Sequence, residues 1–212
     1  MTWEVCTRWP AVGSALMTGS HRALRSELRA TRRALGADAQ VAGADAVARR
    51  LWPWLRSSGP GIVAAYLATT DGELSPGPCV KLLRGAGATL VFPRIADDAM
   101  TFHIVGHDDD LIPGEWDLLE PASTAGLVDA AAIDVVLAPL VAFDDRCERM
   151  GRGKAYYDRC FAFLAEVDRP AQPVLIGLAH DCQRVEALDC QPHDVRLDAV
   201  VTPSSIVGTL PS

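Results

Sequence analysis

The part of the chain with the clearest chemical potential is a basic, glycine-containing stretch near residue 150. Two glycines and three basic residues occur together there: Arg149, Gly151, Arg152, Gly153 and Lys154. Glycine lets the backbone approach a ligand closely, and guanidinium and ammonium groups neutralise phosphate oxygens. A helix is predicted to begin just after this stretch, with free N–H groups and the positive end of its dipole at its first turn. The stretch therefore predicts a site for an anion such as phosphate.

A carboxylate follows the basic residues by one helical turn. Asp158 lies four positions after Lys154, and a carboxylate beside bound phosphates is a typical oxygen ligand of Mg²⁺. A solvated, charge-mixed loop before a surface helix is an alternative interpretation. The Gly-Arg-Gly-Lys sequence also lacks the GxxxxGK[ST] spacing of a P-loop, so the motif alone does not identify a nucleotide.

An alternation of apolar runs and amphipathic segments predicts an α/β fold. Short apolar runs bounded by turn residues are typical of buried parallel strands, and segments with helical periodicity lie between them. Strands are predicted at residues 62–67, 89–94, 100–105, 133–139, 173–179 and 197–201. Helices are predicted at residues 21–35, 39–55, 76–84, 122–131 and 155–167. This order predicts βαβ units and a mostly parallel central sheet.

The first predicted helix carries a line of positive charge. Arg25, Arg29 and Arg32 recur at intervals of four and three residues, so they share one side of the helix. Like charges at that spacing repel each other. An anionic partner would relieve the repulsion, and a solvated arginine face is the alternative explanation.

Composition and charge limit the class of protein. The chain has 212 residues and a formal net charge of −7, which argues against a nucleic-acid-binding surface over the whole molecule. No apolar run is long enough to span a membrane. Six cysteines without a CxxC pair, and no export signal, predict reduced thiols and a cytoplasmic location. Residues 1–19 are expected to form a disordered extension, and residues 20–212 a single domain.

Three longer segments carry a more specific signal. They are Pro-Leu-Val-Ala-Phe-Asp at 139–144, Arg-Met-Gly-Arg-Gly-Lys-Ala-Tyr-Tyr-Asp-Arg at 149–159, and His-Asp-Val-Arg-Leu-Asp-Ala-Val-Val-Thr-Pro at 193–203. Together they resemble the signature of the 5-formyltetrahydrofolate cyclo-ligase (5,10-methenyltetrahydrofolate synthetase) family. Smaller matches at Tyr66, Glu73, Phe-Pro-Arg (92–94) and Glu120-Pro121 extend the resemblance over roughly residues 20–205.

The resemblance implies a fold and a reaction. The fold is a three-layer α/β sandwich with helices on both faces of the sheet. The reaction is the ATP- and Mg²⁺-dependent cyclisation of 5-formyltetrahydrofolate to 5,10-methenyltetrahydrofolate, with release of ADP and phosphate, through a phosphorylated formyl group. The partners would be reduced folate and ATP, without nucleic acid or membrane, and the protein a monomer or weak dimer. A catalytically impaired paralogue that binds folate or nucleotide in a regulatory role is the alternative.

The resemblance also implies roles for individual residues. The catalytic set would be Arg149, Lys154 and Tyr156. ATP would contact His21, Arg25, Arg149, Met150, Gly151, Arg152, Gly153, Lys154, Ala155, Tyr156 and Tyr157. Folate would contact Glu73, Arg152, Gly153, Lys154, Ala155 and Tyr156. The magnesium ligands would be Asp158 and Asp194.

Three residues depart from the pattern of the family. Cys147 and Ala155 stand where glycine is usual, and His21 stands where lysine is usual. If position 155 requires a positive φ, its Cβ costs roughly 1 kcal/mol. A neutral imidazole also brings less positive charge than lysine. These departures predict lower catalytic efficiency and an unchanged fold, and Cys147 would be a reactive thiol only if it were exposed.

A second metal-binding pattern occurs near the end of the chain. His180, Cys182, Cys190 and His193 have the side-chain types of a tetrahedral zinc site, although two of the spacings are tighter than usual. Incidental thiols in a loop are the alternative explanation.

Overall fold

The computed structural model describes residues 18–96, 98–106, 111–114, 119–164, 172–191 and 193–211. The predicted N-terminal extension lies almost entirely outside these residues. The described α-helices are α1 (Thr18–Arg33), α2 (Ala37–Ser58), α3 (Gly77–Gly85) and α4 (Tyr156–Cys160). The described strands are β1 (Ile62–Ala64), β2 (Thr89–Ala96), β3 (Ala99–Ile104), β4 (Leu111–Pro113), β5 (Leu119–Pro121), β6 (Leu127–Val128), β7 (Val135–Pro139), β8 (Ala142–Phe143), β9 (Arg149–Met150), β10 (Val174–Leu178), β11 (Ala199–Val201) and β12 (Ile206–Gly208).

Eight strands form the central sheet, in the order β12-β11-β10-β7-β1-β2-β3-β6. The central strands are parallel: β1 pairs with β2 and β7, and β10 pairs with β7 and β11. Antiparallel pairs lie at the margins, where β12 joins β11 and where β3 joins β2 and β6. The predicted mostly parallel sheet is confirmed.

Successive residues of the central strands point into two separate apolar cores, because side chains alternate between the faces of a sheet. Val63 and Leu137 belong to the core that α2 and α3 cover. Val136 and Leu175 belong to the other core, which also contains Phe161 at the end of α4. A sheet covered on both faces explains the continuous apolar runs of the sequence, and it confirms the three-layer architecture.

Two helix predictions differ from the structure. The prediction for residues 122–131 is wrong: the segment contains the short strand β6 and a 3₁₀ turn at Ala130–Ala132. Its alanines favour a helix, but the Ile104 amide donates to the Gly126 carbonyl (2.8 Å), and β6 extends that pairing on β3. The helix predicted for 155–167 is α4 followed by a 3₁₀ turn, and residues 165–171 lie outside the described part.

Two loops at the carboxyl ends of neighbouring strands form the site. The first follows β1, and the second follows β7 and contains the β8–β9 hairpin. The buried Asp144 organises the turn of this hairpin, since its side chain accepts from the amides of Arg146 (2.9 Å) and Glu148 (3.2 Å). Burial alone would raise the pKa of Asp144, but these hydrogen bonds and the Arg146 guanidinium lower it. The hairpin thus ends with a fixed geometry immediately before the glycine-containing stretch.

Candidate active site

A cavity of about 210 Å³ opens between the two loops, at the carboxyl edge of β1 and β7. Open α/β sheets hold ligands at this edge. Nine of the predicted site residues line it: Glu73, Arg149, Gly151, Arg152, Lys154, Ala155, Tyr156, Tyr157 and Asp158. The structure therefore brings the glycine-containing stretch and the loop that carries Glu73 together around one cavity.

The glycine-containing stretch packs against α1 through an arginine. The Arg25 Nε donates to the Gly151 carbonyl oxygen (3.0 Å). Gly153 has a φ of +95°, and a Cβ added there would lie 3.5 Å from the Arg25 guanidinium carbon. That distance is an ordinary contact, so it is the positive φ that would strain a side chain at position 153 and that favours glycine there. Arg25 thus lies beside the loop, and its contact with ATP stays a prediction.

Arg149 and Asp158 form an ion pair in the wall of the cavity. Their Nη2 and Oδ1 atoms are 2.5 Å apart, and both side chains are mostly buried. The Arg149 guanidinium also lies 5.7 Å from the centre of the Tyr157 ring, within the range of a cation–π contact. Burial raises the pKa of Tyr157 well above its usual value, despite the nearby arginine, so the phenol stays protonated. Arg149 is thus held between a carboxylate and an aromatic ring.

Asp71, which sequence analysis did not identify, connects three elements of the site. Its carboxylate accepts from Arg29 of α1 (2.7 Å), from the fully buried Arg32 of α1 (2.5 Å) and from Arg152 of the second loop (3.2 Å). The arginine line of α1 is therefore neither a wholly solvated face nor a surface that needs an external anion. An internal carboxylate relieves much of its repulsion.

Asp71 is expected to make stability depend on pH in acid. Partial burial alone would raise its pKa, but the Thr69 hydroxyl and the Arg32, Arg29 and Arg152 guanidinium groups outweigh it and lower the pKa to about 2. A carboxyl whose pKa is lower in the folded state stabilises the fold above its unfolded-state pKa, and this contribution disappears as pH falls through the folded-state value. The difference in unfolding free energy between the wild type and Asp71→Asn should therefore be constant near neutral pH.

That difference should shrink as pH falls from about 4 towards 2, over the interval between the unfolded-state and folded-state pKa values of Asp71. Urea unfolding of both proteins at a series of pH values measures it. Asp45→Asn, on the exposed side of α2, is the matched control and should show little difference at any pH. A wild-type advantage that grew below pH 4 would contradict this role of Asp71.

The two predicted magnesium ligands approach the same region from different segments. The Asp158 Oδ1 accepts from the Val195 amide (3.2 Å), and Val195 directly follows Asp194 in the chain. The Asp194 Oδ2 accepts from the Gln191 amide (2.7 Å). Asp158 lines the cavity, whereas Asp194 is not among the residues that line it. Each carboxylate thus uses one oxygen in these hydrogen bonds.

The zinc pattern does not form a site in the described part of the chain. No group of three or more His, Cys, Asp or Glu side chains there is arranged to hold a metal ion. His180 is buried, and burial and the nearby Arg32 lower its pKa. The alternative of incidental thiols in a loop therefore explains this segment better.

Both residues that replace glycine lie in the left-handed region of backbone conformation. Ala155 has a φ of 51° at the start of α4, and Cys147 has a φ of 61° at the hairpin turn. The condition stated for Ala155, a positive φ, is thus met. Cys147 is buried, and burial raises its pKa to about 11, so the structure does not support a reactive thiol there.

The strain at Ala155 predicts a stabilising substitution. A non-glycine residue in the left-handed region costs about 1–2 kcal/mol, and glycine loses about 0.5–1 kcal/mol more on folding than alanine. Ala155→Gly should therefore raise the free energy of unfolding by about 0.5–1 kcal/mol in a denaturant titration. Ala23→Gly, on the exposed side of α1, should lower it by a similar amount. Equal destabilisation by both substitutions would show that position 155 is not strained.

Three further residues differ in whether they line the cavity: Met150, His21 and Glu120. Met150 packs in a small core with Leu28, and His21 is partly exposed on α1; neither lines the cavity. Glu120, to which no chemistry was assigned, does line it, paired with Arg94 at 2.7 Å. The sequence around Glu120 and Pro121 gave no indication that the Glu120 side chain would line the cavity.

The fold and this cavity define an α/β protein with a basic, glycine-containing loop at the carboxyl edge of its sheet. Solved structures share the fold. A 5,10-methenyltetrahydrofolate synthetase from Mycoplasma pneumoniae has a TM-score of 0.68 at 24% identity, with 86% of this chain and 98% of that chain covered. The synthetase from Aquifex aeolicus has a TM-score of 0.73 at 23% identity, with coverages of 88% and 91%.

Sequence comparison assigns the family. The 5-formyltetrahydrofolate cyclo-ligase of Escherichia coli (strain K12) is 32% identical over 183 residues, which cover 84% of this chain and 98% of that enzyme. The chain belongs to the 5-formyltetrahydrofolate cyclo-ligase family, whose model matches residues 17–203. It is thus a ligase of folate one-carbon metabolism, in an ATP-dependent family, as the resemblance predicted. Among the described residues, no helix combines the length and apolar character needed to cross a bilayer.

Proposed function

We propose that the loop after β7 binds ATP, that the loop after β1 binds the reduced folate, and that the cavity between them is where 5-formyltetrahydrofolate is cyclised. The observation that carries this proposal is the meeting of Lys154, Arg149 and Glu73 around a single cavity. Cations on one wall and a carboxylate on the other match the two ligands, which are a triphosphate and a pterin.

The nucleotide side relies on charge and on backbone amides. Lys154 is exposed and lines the cavity, and Gly153 lets the loop turn close to a phosphate. Arg25 supports the loop from α1. His21 and Met150 lie outside the cavity wall, so we propose that they contact ATP less directly than the loop does. Tyr156, stacked with Arg159 at 4.9 Å, offers a ring beside the nucleotide.

The folate side relies on Glu73, which is largely buried and lines the cavity. The Thr69 amide (3.0 Å) and hydroxyl (3.2 Å) both meet its Oε2 atom. These contacts fix the carboxylate and leave lone pairs for a ligand. The ring N–H and amino group of a pterin are donors that a carboxylate accepts in pairs. Ala155 and Tyr156, which also line the cavity, would complete the wall that contacts the folate.

The residues present fit a magnesium ion. Mg²⁺ is usually held by one or two carboxylates, with substrate phosphates and water completing its shell. Asp158 and Asp194 each have one oxygen that is not used in the hydrogen bonds described above. When bound, Mg²⁺ would neutralise phosphate charge. In this structure Arg149 forms an ion pair with Asp158. We propose that its guanidinium leaves this pair and turns towards the phosphates when the nucleotide binds.

The chemical step proceeds in two stages. The formyl oxygen attacks the γ-phosphorus of ATP, the bond to the bridging oxygen breaks, and ADP leaves. N10 of the folate then attacks the formyl carbon and loses its proton, and the carbon–oxygen bond breaks with its electron pair leaving on phosphate. Arg149 and Lys154 stabilise the charge on the transferred group, and positioning accounts for the rest.

Two assays on the purified protein test this function. With 5-formyltetrahydrofolate, Mg²⁺ and ATP, the absorbance of the methenyl product should appear. With oxygen-18 in the formyl group, the label should be found in the released phosphate. Folate binding without any product would favour a regulatory paralogue. If product formed and the label were found in water instead of in phosphate, the phosphorylated intermediate would be excluded.

The cytoplasmic location and the monomeric or weakly dimeric state stay proposals. The described cysteines Cys79, Cys147, Cys160, Cys182 and Cys190 are free thiols, which agrees with a reducing compartment. Sedimentation of the purified protein over a range of concentrations would measure the oligomeric state.

A further inference from the structure

We propose that Thr69 and Asp71 are positioning residues, which hold the Arg152 guanidinium at the folate end of the cavity, beside Glu73. This inference rests on the proposed function, because that function places folate at Glu73. It gives Arg152 a defined partner among the two substrates, whereas the family pattern implied contacts with both.

The contacts of Arg152 all lie on the loop after β1, as far as the described residues show. Its Nη2 atom donates to the Thr69 hydroxyl and to the Asp71 Oδ1 (3.2 Å). The same atom is 3.7 Å from the Glu73 Oε1. The guanidinium is therefore directed across the cavity, towards the loop that is proposed to bind the folate.

Nothing in its own loop fixes Arg152 in this way. It stands between Gly151 and Gly153, and its side chain is 41% exposed. An exposed arginine loses side-chain conformational entropy when its position is fixed. The orientation must therefore come from the opposite loop, through a charge-assisted hydrogen bond and the Thr69 hydroxyl.

The opposite loop is a rigid support. Arg32, which is fully buried, donates to both the carboxylate and the backbone carbonyl of Asp71 (2.5 and 3.2 Å) and to the Leu140 carbonyl (3.3 Å). Gly72 has a φ of +78°, and a Cβ there would lie 2.9 Å from the Arg32 carbonyl oxygen. The loop is thus packed against the end of α1 and cannot shift without disturbing it.

Thr69 aligns the two charged groups with each other. Its hydroxyl contacts Arg152, lies 2.7 Å from the Asp71 Oδ1 and lies 3.2 Å from the Glu73 Oε2. A cation and a carboxylate are therefore fixed side by side before a ligand arrives. Such a pair complements a ligand that carries both a donor edge and a carbonyl oxygen, as the pterin and formyl groups of folate do.

A double-mutant cycle on the full-length protein tests the positioning. The affinities of Asp71→Asn, Arg152→Met and the double variant for 5-formyltetrahydrofolate and for a non-hydrolysable ATP analogue with Mg²⁺ are measured by calorimetry. Asp71→Asn should weaken folate binding about tenfold in the wild-type background and less than about twofold in the Arg152→Met background. Its effect on the nucleotide should stay below about twofold, and Asp45→Asn should change neither affinity.

Thr69→Val provides a second route if Asp71→Asn does not fold, since it removes the hydroxyl at nearly constant volume and leaves Arg32 paired. It should weaken folate binding more in the wild type than in Arg152→Met. Equal losses in both backgrounds, or a loss shared equally by folate and nucleotide, would overturn the positioning role. The wild-type product assay is read separately, so absence of turnover would count against the proposed function and leave the coupling between Asp71 and Arg152 measurable.

Discussion

Lys154→Ala is expected to lower kcat/KM about 100- to 1,000-fold, the loss seen when one preorganised donor to a developing charge is removed. Lys154 is exposed, lines the cavity and has no carboxylate partner among the described residues. Its ammonium is therefore available to the transferred phosphate. Because the side chain packs against little, the free energy of unfolding should change by less than about 0.5 kcal/mol.

Steady-state kinetics with ATP and folate varied in turn measure the first effect, and denaturant titration measures the second. Lys81→Ala is the matched control, because Lys81 is also exposed but lies on α3, away from the cavity. It should leave both quantities nearly unchanged. If Lys154→Ala lost stability and activity in proportion, the lysine would be a structural residue.

Asp158→Asn and Asp194→Asn should separate the two proposed magnesium ligands by their effects on stability. Both should reduce turnover about 100-fold or more, because each would remove a charged ligand of the metal. Asp158→Asn should also cost about 3 kcal/mol of stability, since it leaves the buried Arg149 without its ion-pair partner. Asp194 is more exposed and pairs with no arginine in the part of the chain that the structure describes, so its substitution should cost less than about 1 kcal/mol.

Activity as a function of Mg²⁺ concentration, and denaturant titration of each variant, check this pair of predictions. Both variants should need more Mg²⁺ for half-maximal rate than the wild type. The assignment would be wrong if Asp194→Asn kept the wild-type dependence on Mg²⁺, and Asp158 would then hold the metal without it.

The sequence predicted those parts of the site that depend on local pattern. The stretch from Arg149 to Asp158 is contiguous, and its glycines, cations and helix start can be recognised without a fold. Glu73 was predicted through the family resemblance, and the structure places it in the loop after β1, at the edge of the sheet where ligands are usually held. The positive φ of Ala155 was stated as a condition, and the structure meets it.

The parts that were missed depend on contacts between distant segments. Asp71 gains its importance from Arg29, Arg32 and Arg152, which lie 42, 39 and 81 residues away in the chain. A single acidic residue in a loop carries no signal of such partners. The helix predicted over residues 122–131 failed for a similar reason, because hydrogen bonding to β3 outweighed the helix preference of its alanines.

A crystal structure with Mg²⁺ and a non-hydrolysable ATP analogue tests the central claim most directly. We predict phosphate oxygens within hydrogen-bonding distance of the Gly153 amide and the Lys154 ammonium. We also predict the metal between Asp158 and Asp194, and Arg149 turned towards the nucleotide. A triphosphate bound away from the loop after β7, or a metal held without either aspartate, would contradict the account.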